Sequence, residues 1–596
     1  MCGIVGYAGG KRAAPILIES LRRLEYRGYD SAGVATVSDR LELHKSQGMI
    51  KDLERDIPEL GGTMGISHTR WATHGPPSNE NAHPHTDCKG KLALVHNGII
   101  ENFQELKEDL EEKGHKFLSE TDTEVIAHLL ESNYQGDLEK AVRTTVKQLV
   151  GSFALGIIHA DHPGTVIGVR NESPLIVGIG VDENFIASDV PAILAHTNQI
   201  KYLDNGEIVI MDAGSVRITD FEGEIKEHEI KEIEWSLEDA EKGGYEHFMI
   251  KEIFDQSKSV HEALRGRFAD DFFAGFPAAL IQSVKIIACG TSYHAGMVGR
   301  YIIEQLGQIP AQVDMASEYR YSNSTGQRPL VIVITQSGET ADTLAAAREA
   351  KRRGCYTVAI TNVVGSSITR EVDRTFYIRA GPEISVCATK SFTGQVVALY
   401  IIGMYIGKAL GTLTPENHQK LESGLRTLPR LVDGVLRDTE PIKKAAEILK
   451  DKESVFFIGR NINFPSALEG ALKLKEISYI HAEGFPAGEL KHGPLALLTP
   501  QTPVVAIVSK DHTYDKVIGN IREVSARSAP VIAIANSTDG EIEKFADVVL
   551  RFPDTPAIYS PVPVAVVLQL LAYYTACARS CPIDKPRNLA KSVTVE

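Results

Sequence analysis

Paired cysteines are missing. The chain has seven cysteines in 596 residues, an odd number, and no two form a C-x-x-C pair. Neither a disulfide framework nor a zinc ribbon is supported, and a reducing cytoplasm is the expected setting. Positive charge is also in deficit. Lys and Arg number 63 against 78 Asp and Glu, for a net charge of −15. A surface this acidic disfavours nucleic acid or an anionic membrane as the main partner. No secretory signal precedes the first strand-like run, Ile4–Tyr7. Long hydrophobic runs are scarce. The longest uncharged stretch, Thr555 to Ala578, is broken by Pro556, Pro561 and Pro563 and interrupted by Gln569. Its remainder from Val564 is shorter than the roughly 20 residues a spanning helix needs and reads as a buried core helix. At 43% hydrophobic and 24% charged residues, the composition is that of a globular protein, neither disordered nor coiled coil. The length leaves room for about four domains.

Regular strand–helix alternation is absent up to about Ile233. Short apolar runs (Lys91–Val95, Phe153–His159, Thr165–Val169, Leu175–Ile179) read as antiparallel strands. Helices over Ala13–Leu24 and Thr123–Ser132 would pack on them, as two-layered sheets covered by helices. A charged linker follows, Lys231–Lys242 with Gly243-Gly244. From Lys285 the pattern becomes parallel and doubly wound: strand Lys285–Cys289, turn Gly290-Thr291-Ser292, helix His294–Leu306, strand Leu330–Thr335, polar turn Gln336–Thr340, helix Ala341–Arg353, strand Tyr356–Thr361. It then repeats. Val455–Gly459 resembles Ile286–Gly290, and Pro503–Ser509 with Pro530–Asn536 resembles Leu330–Asn362. A repeat this long predicts duplicated domains.

Cys2 follows a Met1 that aminopeptidase would remove. The new N-terminus would carry a thiol and a free amine, the amine titrating near ~7.7–8.0 and able to act as base. A lone cysteine is ordinarily an inert small hydrophobe; its surroundings decide otherwise. Met1–Gly6 reads M-C-G-I-V-G, Tyr26–Gly33 Y-R-G-Y-D-S-A-G, His68–Gly75 H-T-R-W-A-T-H-G, His96–Glu101 H-N-G-I-I-E and Glu120–Glu124 E-T-D-T-E. Together they resemble the class II, N-terminal-nucleophile glutamine amidotransferase domain over residues 2–235. The resemblance implies glutamine hydrolysis through a thioester on Cys2. Asn97 and the Gly98 N–H would form the oxyanion hole. Arg70 would pair with the glutamine α-carboxylate and Asp122 with its ammonium. Thr73, His74 and Gly75 would lie along the same wall, with Trp71 a gate between sites. His68, His74, His83, His85 and Cys88 also lie close in sequence, but their spacing matches no strong zinc pattern and no cysteine pair anchors them. No metal is expected, and His83-Pro84-His85 reads as a structured loop.

In the second part, Thr335-Gln336-Ser337-Gly338-Glu339-Thr340 and Gly290-Thr291-Ser292 each sit between a strand and a helix. Such turns are ordinarily N-caps, but two in equivalent contexts suit a phosphate. The set resembles the sugar isomerase (SIS) domain, which binds phosphosugars. In the second copy Glu469, Lys473 and Glu476 share one helix face. They are followed by His481-Ala482-Glu483, the run Gly488–Pro494, and an ending Asn588–Glu596 that contains Lys591. With the glutaminase motifs, these resemble the glutamine–fructose-6-phosphate aminotransferase family over essentially the whole chain. The departures are small: Thr335 where the family commonly has Ser, and Ala388 where it commonly has Ser or Cys.

This resemblance implies a multidomain α/β chain. A glutaminase domain in αββα layers (1–235) would be followed by a connection (236–284), two doubly wound parallel-sheet SIS domains (285–430 and 431–580) and a catalytic tail (581–596). The implied reaction makes D-glucosamine 6-phosphate and L-glutamate from D-fructose 6-phosphate and L-glutamine, the first step of hexosamine and UDP-N-acetylglucosamine synthesis. The phosphate would be gripped by Gly290, Thr291, Ser292, Thr335, Gln336, Ser337 and Thr340, beside Lys473. Lys591 would form an imine, Glu476 would move a proton between C1 and C2, and His492 would assist ring opening. No cofactor is required, and the family implies a cytoplasmic homodimer. Neither an S-G-G-x-D-S nucleotide loop nor a pyrophosphate-binding loop is present, which disfavours other class II amidotransferases. A phosphosugar-sensing module would need neither Cys2 nor Lys591.

Overall fold

A computed structural model describes residues 2–72, 74–233, 241–269, 272, 281–323 and 328–594. The chain forms two units, Met1–Ala240 with Ala590–Glu596, and Glu241–Leu589.

The first unit contains two antiparallel sheets. Eight strands run in the order Lys231–Glu232, Gln199–Tyr202, Ile176–Ile179, Glu183–Ala187, Gly3–Gly9, Met64–Arg70, Ser31–Val37, Leu41–Gln47. Six run Val216–Asp220, Glu207–Met211, Val166–Asn171, Gly151–His159, Leu92–Ile100, His85–Thr86. Ile4, Ala35, Met64 and Ile66 of the first sheet meet Val95, Ala154, Ile158 and Val209 of the second in one buried cluster. Helix Ala13–Arg22 covers the outer face of the first sheet. Glu124–Asn133 and Leu138–Val146 supply Val125, Ile126, Leu130 and Val142 to a core against the second. The result is the expected αββα stack. Gly3–Gly9 is buried over almost its full length at the centre of its sheet, which places Cys2 at the strand's edge-on entry to the sandwich. The expected linker is partly structured: Lys231–Glu232 pairs as an edge strand. Its residues 234–240 lie outside the described residues.

The second unit carries two five-stranded parallel sheets of identical order. One runs Ala311–Met315, Val284–Ala288, Leu330–Ile334, Thr357–Thr361, Arg374–Tyr377. The other runs His481–Pro486, Ser454–Gly459, Val504–Val508, Val531–Asn536, Val548–Phe552. The duplication is therefore real, and both copies share one hydrophobic core. The first helix begins at Gly290, earlier than the sequence pattern suggests, so Thr291 and Ser292 lie in its first turn rather than in a preceding turn. Helices Lys390–Ala409 and Pro561–Ala578 are long and apolar enough to cross a membrane, but 89% and 83% of those windows are buried in this core. Pro561–Ala578 is thus the buried core helix expected. Gly290–Gly307 packs on both Lys390–Ala409 and Phe464–Ser478, and the second of these contacts joins the two copies.

Candidate functional site

In the first unit, the strand Met64–Arg70 ends at Arg70 beside Cys2. The Trp71 backbone N–H points to Cys2 Sγ at 3.3 Å. The Cys2 carbonyl is held by Arg27 Nε at 3.2 Å, and Arg27 in turn pairs with Asp189 at 2.8 Å. Asn97 Nδ2 donates to the same carbonyl at 3.0 Å, so its donor end faces the cysteine. What aims it is His68, which sequence reasoning did not assign. His68 Nε2 lies 3.0 Å from His96 O and 3.1 Å from Asn97 Oδ1. Both partners are acceptors, so Nε2 carries the proton and the amide is fixed with its oxygen toward His68. Burial pushes His68 down to about 3, against hydrogen bonds from His96 and Asn97 that act to raise it, so the ring is neutral. Gly98 has φ +135°, and a Cβ there would lie 1.8 Å from Ser152 O across the ladder. Only glycine fits this position beside Asn97.

Arg70 and Asp122 give this site one buried cation and one buried anion. Arg70 Nη2 donates to the carbonyls of His74 and Gly75, while the buried Nη1 has no hydrogen-bond partner among the described residues. Asp122 Oδ2 accepts from the Ile100 N–H at 2.9 Å. A buried, unsatisfied guanidinium nitrogen costs stability unless a ligand oxygen reaches it, which suits an amino-acid carboxylate. The His74 ring sits edge-on to Phe103 with centroids 5.5 Å apart. Thr73 lies outside the described residues. His83 and His85 are buried in a hydroxyl network: His83 and His96 both reach Thr123 Oγ1 at 2.9 Å, and His85 reaches Thr121 Oγ1 at 3.1 Å. This is the structured loop that the His83-Pro84-His85 run predicts. Among the described residues, the four histidines and one cysteine that lie close in sequence do not form one ligand cluster: Cys88 turns away to His115 and His128.

In the second unit, Glu469, Lys473 and Glu476 lie on one face of Phe464–Ser478, as their spacing predicts. The face is no solvated salt bridge: Glu469 and Lys473 are each 1% exposed. Lys473 Nζ stands 3.4 Å from Glu469 and 2.7 Å from Glu476. It also donates to Thr291 Oγ1 at 2.9 Å, and Thr291 donates to Glu469 at 3.1 Å. Three further partners come from parts of the chain the sequence pattern did not single out for the site. His294 Nδ1 lies 2.8 Å from Glu469 Oε2, the Cys387 thiol donates to Glu476 Oε2 at 3.0 Å, and Gln395 Nε2 donates to Ser292 Oγ at 3.0 Å. Burial works against the Lys473 charge, but Cys387, Glu469 and Glu476 outweigh it and hold the ammonium well above its ordinary value. Burial likewise raises Glu469, but Lys473 and His294 outweigh it and keep it below the usual carboxylate value.

The turn Thr335–Thr340 is stapled by its own hydroxyls. Thr335 Oγ1 is 2.9 Å from Thr340 Oγ1 and accepts from the Gly338 N–H at 3.2 Å, and Ser337 Oγ accepts from Glu339 N at 3.1 Å. The threonine in place of serine thus keeps the hydroxyl in use. In the other copy the turn after Val504–Val508 carries Asp511, whose carboxylate accepts from Thr513. A fixed negative charge there opposes an anion, so the two copies are not chemically equivalent. His492 is exposed, at the end of a 3-10 turn that packs on Tyr514–Ser525. No hydrogen bond or ion pair joins it to Glu469, Lys473 or Glu476 among the described residues. Lys591 groups with the first unit, within Ala590–Glu596.

Two family models match the chain: the SIS domain at residues 281–404 and 448–579, and a glutamine amidotransferase domain at 68–195. The chain is 52% identical to the glutamine–fructose-6-phosphate aminotransferase (isomerizing) of Methanosarcina acetivorans, and 49% identical to those of Aquifex aeolicus and Thermococcus kodakarensis. Each alignment covers all of both proteins. Among solved structures, the C-terminal domain of glucosamine-fructose-6-phosphate aminotransferase from Francisella tularensis matches with a TM-score of 0.56 at 40% identity. It covers 58% of this chain and all of that one.

Proposed function

The chain belongs to the glutamine–fructose-6-phosphate aminotransferase family, and on that premise we propose that it converts D-fructose 6-phosphate and L-glutamine to D-glucosamine 6-phosphate and L-glutamate. Residues 1–235 form the glutaminase, 285–430 and 431–580 the sugar-phosphate pair, 236–284 the connection and 581–596 the catalytic tail. A homodimer in a reducing cytoplasm belongs to the same proposal.

With Cys2 at the N-terminus, its α-amine takes the thiol proton and Sγ attacks the glutamine side-chain carbonyl. The oxyanion is met by Asn97 Nδ2 and the Gly98 N–H. Ammonia leaves with the proton, and water cleaves the thioester to glutamate. Arg70 and Asp122 hold the α-carboxylate and α-ammonium. His74 and Gly75 line the same wall, the family motif adds Thr73 to the glutamine contacts, and Trp71 is the gate. The observation that carries this half is the Asn97 donor end held at Cys2, 3.0 Å from its carbonyl.

At the sugar, Gly290, Ser292, Thr335, Gln336, Ser337 and Thr340 receive the phosphate. Thr291 ties this grip to Lys473, to which it is bonded at 2.9 Å. His492 assists ring opening. Lys591 condenses with the C2 ketone, releasing water, and ammonia then replaces the lysine. Glu476 takes a proton from C1 and returns one to C2, leaving an aldehyde at C1 and an amine at C2. Lys473 is a poor rival for the imine. An amine held as ammonium by two carboxylates has no lone pair to give; it serves instead as a fixed positive charge beside Glu476.

The test is product identification. Purified enzyme with both substrates yields glucosamine 6-phosphate and glutamate in equal amounts. Glutamine hydrolysis with no amino sugar, or phosphosugar binding with no glutaminase activity, would refute the assignment.

A further inference from the structure

The first unit contains a donor set unrelated to glutamine binding. Cys88 follows strand His85–Thr86, His115 follows helix Phe103–Glu112, and His128 and Glu131 lie one turn apart on Glu124–Asn133. One donor atom from each lies within 4.8 Å of all the others. Cys88 Sγ stands 3.6 Å from His115 Nδ1 and 3.5 Å from His128 Nδ1. Glu131 Oε2 stands 3.3 Å from His115 Nδ1 and 3.7 Å from His128 Nδ1.

These separations have a geometric meaning. Zinc bonds are about 2.3 Å to sulfur and about 2.0–2.2 Å to nitrogen and oxygen. A regular tetrahedron with those bonds has sulfur–nitrogen edges of about 3.5–3.6 Å and nitrogen–oxygen edges of about 3.3–3.5 Å. Three of the four measured edges fall on these values and the fourth is slightly longer. The two nitrogen–oxygen separations are longer than ordinary hydrogen bonds, although Glu131 Oε2 also accepts from the Cys88 backbone N–H at 3.0 Å. The outer contact of one ring also suits a metal. His115 Nε2 is 2.9 Å from Ser132 Oγ, which turns its Nδ1 inward. His128 Nε2 is buried without a hydrogen-bond partner among the described residues, 3.5 Å from Glu124 Oε1. The remaining Glu131 oxygen, Oε1, meets Lys89 at 3.3 Å.

We propose that Cys88, His115, His128 and Glu131 form a structural zinc site. Thiolate and carboxylate together balance the 2+ charge, and the sulfur ligand disfavours magnesium and calcium. Four protein donors leave no open position, so the ion is structural rather than catalytic. It ties the segment after Thr86 to the helix that follows Asp122 and Thr123, bracing one wall of the glutamine site. Spacing alone could not reveal it, because the ligands sit at 88, 115, 128 and 131 with a single cysteine.

The experiment uses the full chain. After equilibration with zinc and dialysis against metal-free buffer, elemental analysis is expected to find about one tightly held zinc per chain. Cys88→Ser and His128→Gln lose it. Cobalt(II) replacing zinc in the unmodified protein gives the intense d–d bands of a tetrahedral site and a thiolate charge-transfer band, and Cys88→Ser abolishes the latter. Zinc raises the melting temperature of the unmodified chain and not of Cys88→Ser, whose fold is checked by circular dichroism. No retained zinc, zinc that survives both substitutions, or the weak bands of octahedral cobalt would each overturn the proposal.

Discussion

At the scale of single residues, the glutaminase half depends on one amide being aimed. Asn97 cannot choose its own orientation; His68 chooses it by presenting an N–H to Oδ1 at 3.1 Å. Asn97→Ala removes the proposed oxyanion donor and is expected to lower kcat for glutamine hydrolysis about 10²–10³-fold with little change in KM. His68→Phe keeps the bulk but frees the amide to turn, so a smaller fall in kcat is expected, again without a KM effect. Equal loss in KM would mean that the pair binds glutamine instead. The same histidines set a pH dependence. Burial pushes His68, His83, His85 and His96 all below the ordinary value, His68 to about 3. Between that folded value and an unfolded value of about 6.5, the unfolded chain binds protons that the folded chain refuses. Their contribution is therefore fully present above about 6.5 and is lost as pH falls below it, by at most about 1.4 kcal/mol per pH unit for each histidine. The melting temperature of the intact protein should fall on acidification, and His85→Gln should flatten the slope. A parallel slope in that variant would contradict the assignment.

At the scale of elements, Phe464–Ser478 is the helix to disturb. Its Lys473 is buried between two carboxylates, and removing it leaves Glu469 in the core with only His294 and Thr291 as partners. Lys473→Met is expected to cost about 3–5 kcal/mol in denaturant unfolding, the penalty of breaking a buried pair from one side. An exposed helix pair would cost a few tenths, so the measurement separates the two cases. The i, i+4, i+7 spacing already placed these three groups on one face, and the strand–turn–helix grammar revealed both copies of the parallel fold. The edge strands Ala311–Met315, Arg374–Tyr377 and Val548–Phe552 were not legible, because they are short and only partly buried, without the apolar run that marks the central strands. His294, Cys387 and Gln395 were hidden for another reason. Their partners lie at least 89 positions away in the chain, so only the packing of Gly290–Gly307, of Lys390–Ala409 with the segment before it, and of Phe464–Ser478 reveals them. His68 was visible as a motif letter, but its role needs the tautomer, and the tautomer needs its neighbours.

At the scale of the whole molecule, the proposal gives the chain two chemistries, and substitutions should separate them. Cys2→Ala removes the proposed nucleophile from the first unit and leaves the core of the second intact. Glutamine-dependent amino sugar formation should vanish, while slow isomerisation of fructose 6-phosphate to glucose 6-phosphate through Glu476 persists. Loss of both activities would refute two separate sites. Lys591 is the sharper case. A lysine near a chain end is ordinarily solvated and mobile. Its claim here rests on the family ending Asn588–Glu596 and on the unsuitability of Lys473, which two carboxylates keep as ammonium. Lys591→Arg retains the charge but cannot form an imine, so synthesis should drop to background while glutamine is still hydrolysed. Borohydride added with fructose 6-phosphate reduces an imine to a stable amine, and peptide mapping should find the sugar on the fragment containing Lys591. The same treatment of Lys591→Arg should leave no label. A label on Lys473, with Lys591→Arg still making product, would move the covalent step to the buried helix and leave the tail without a chemical part.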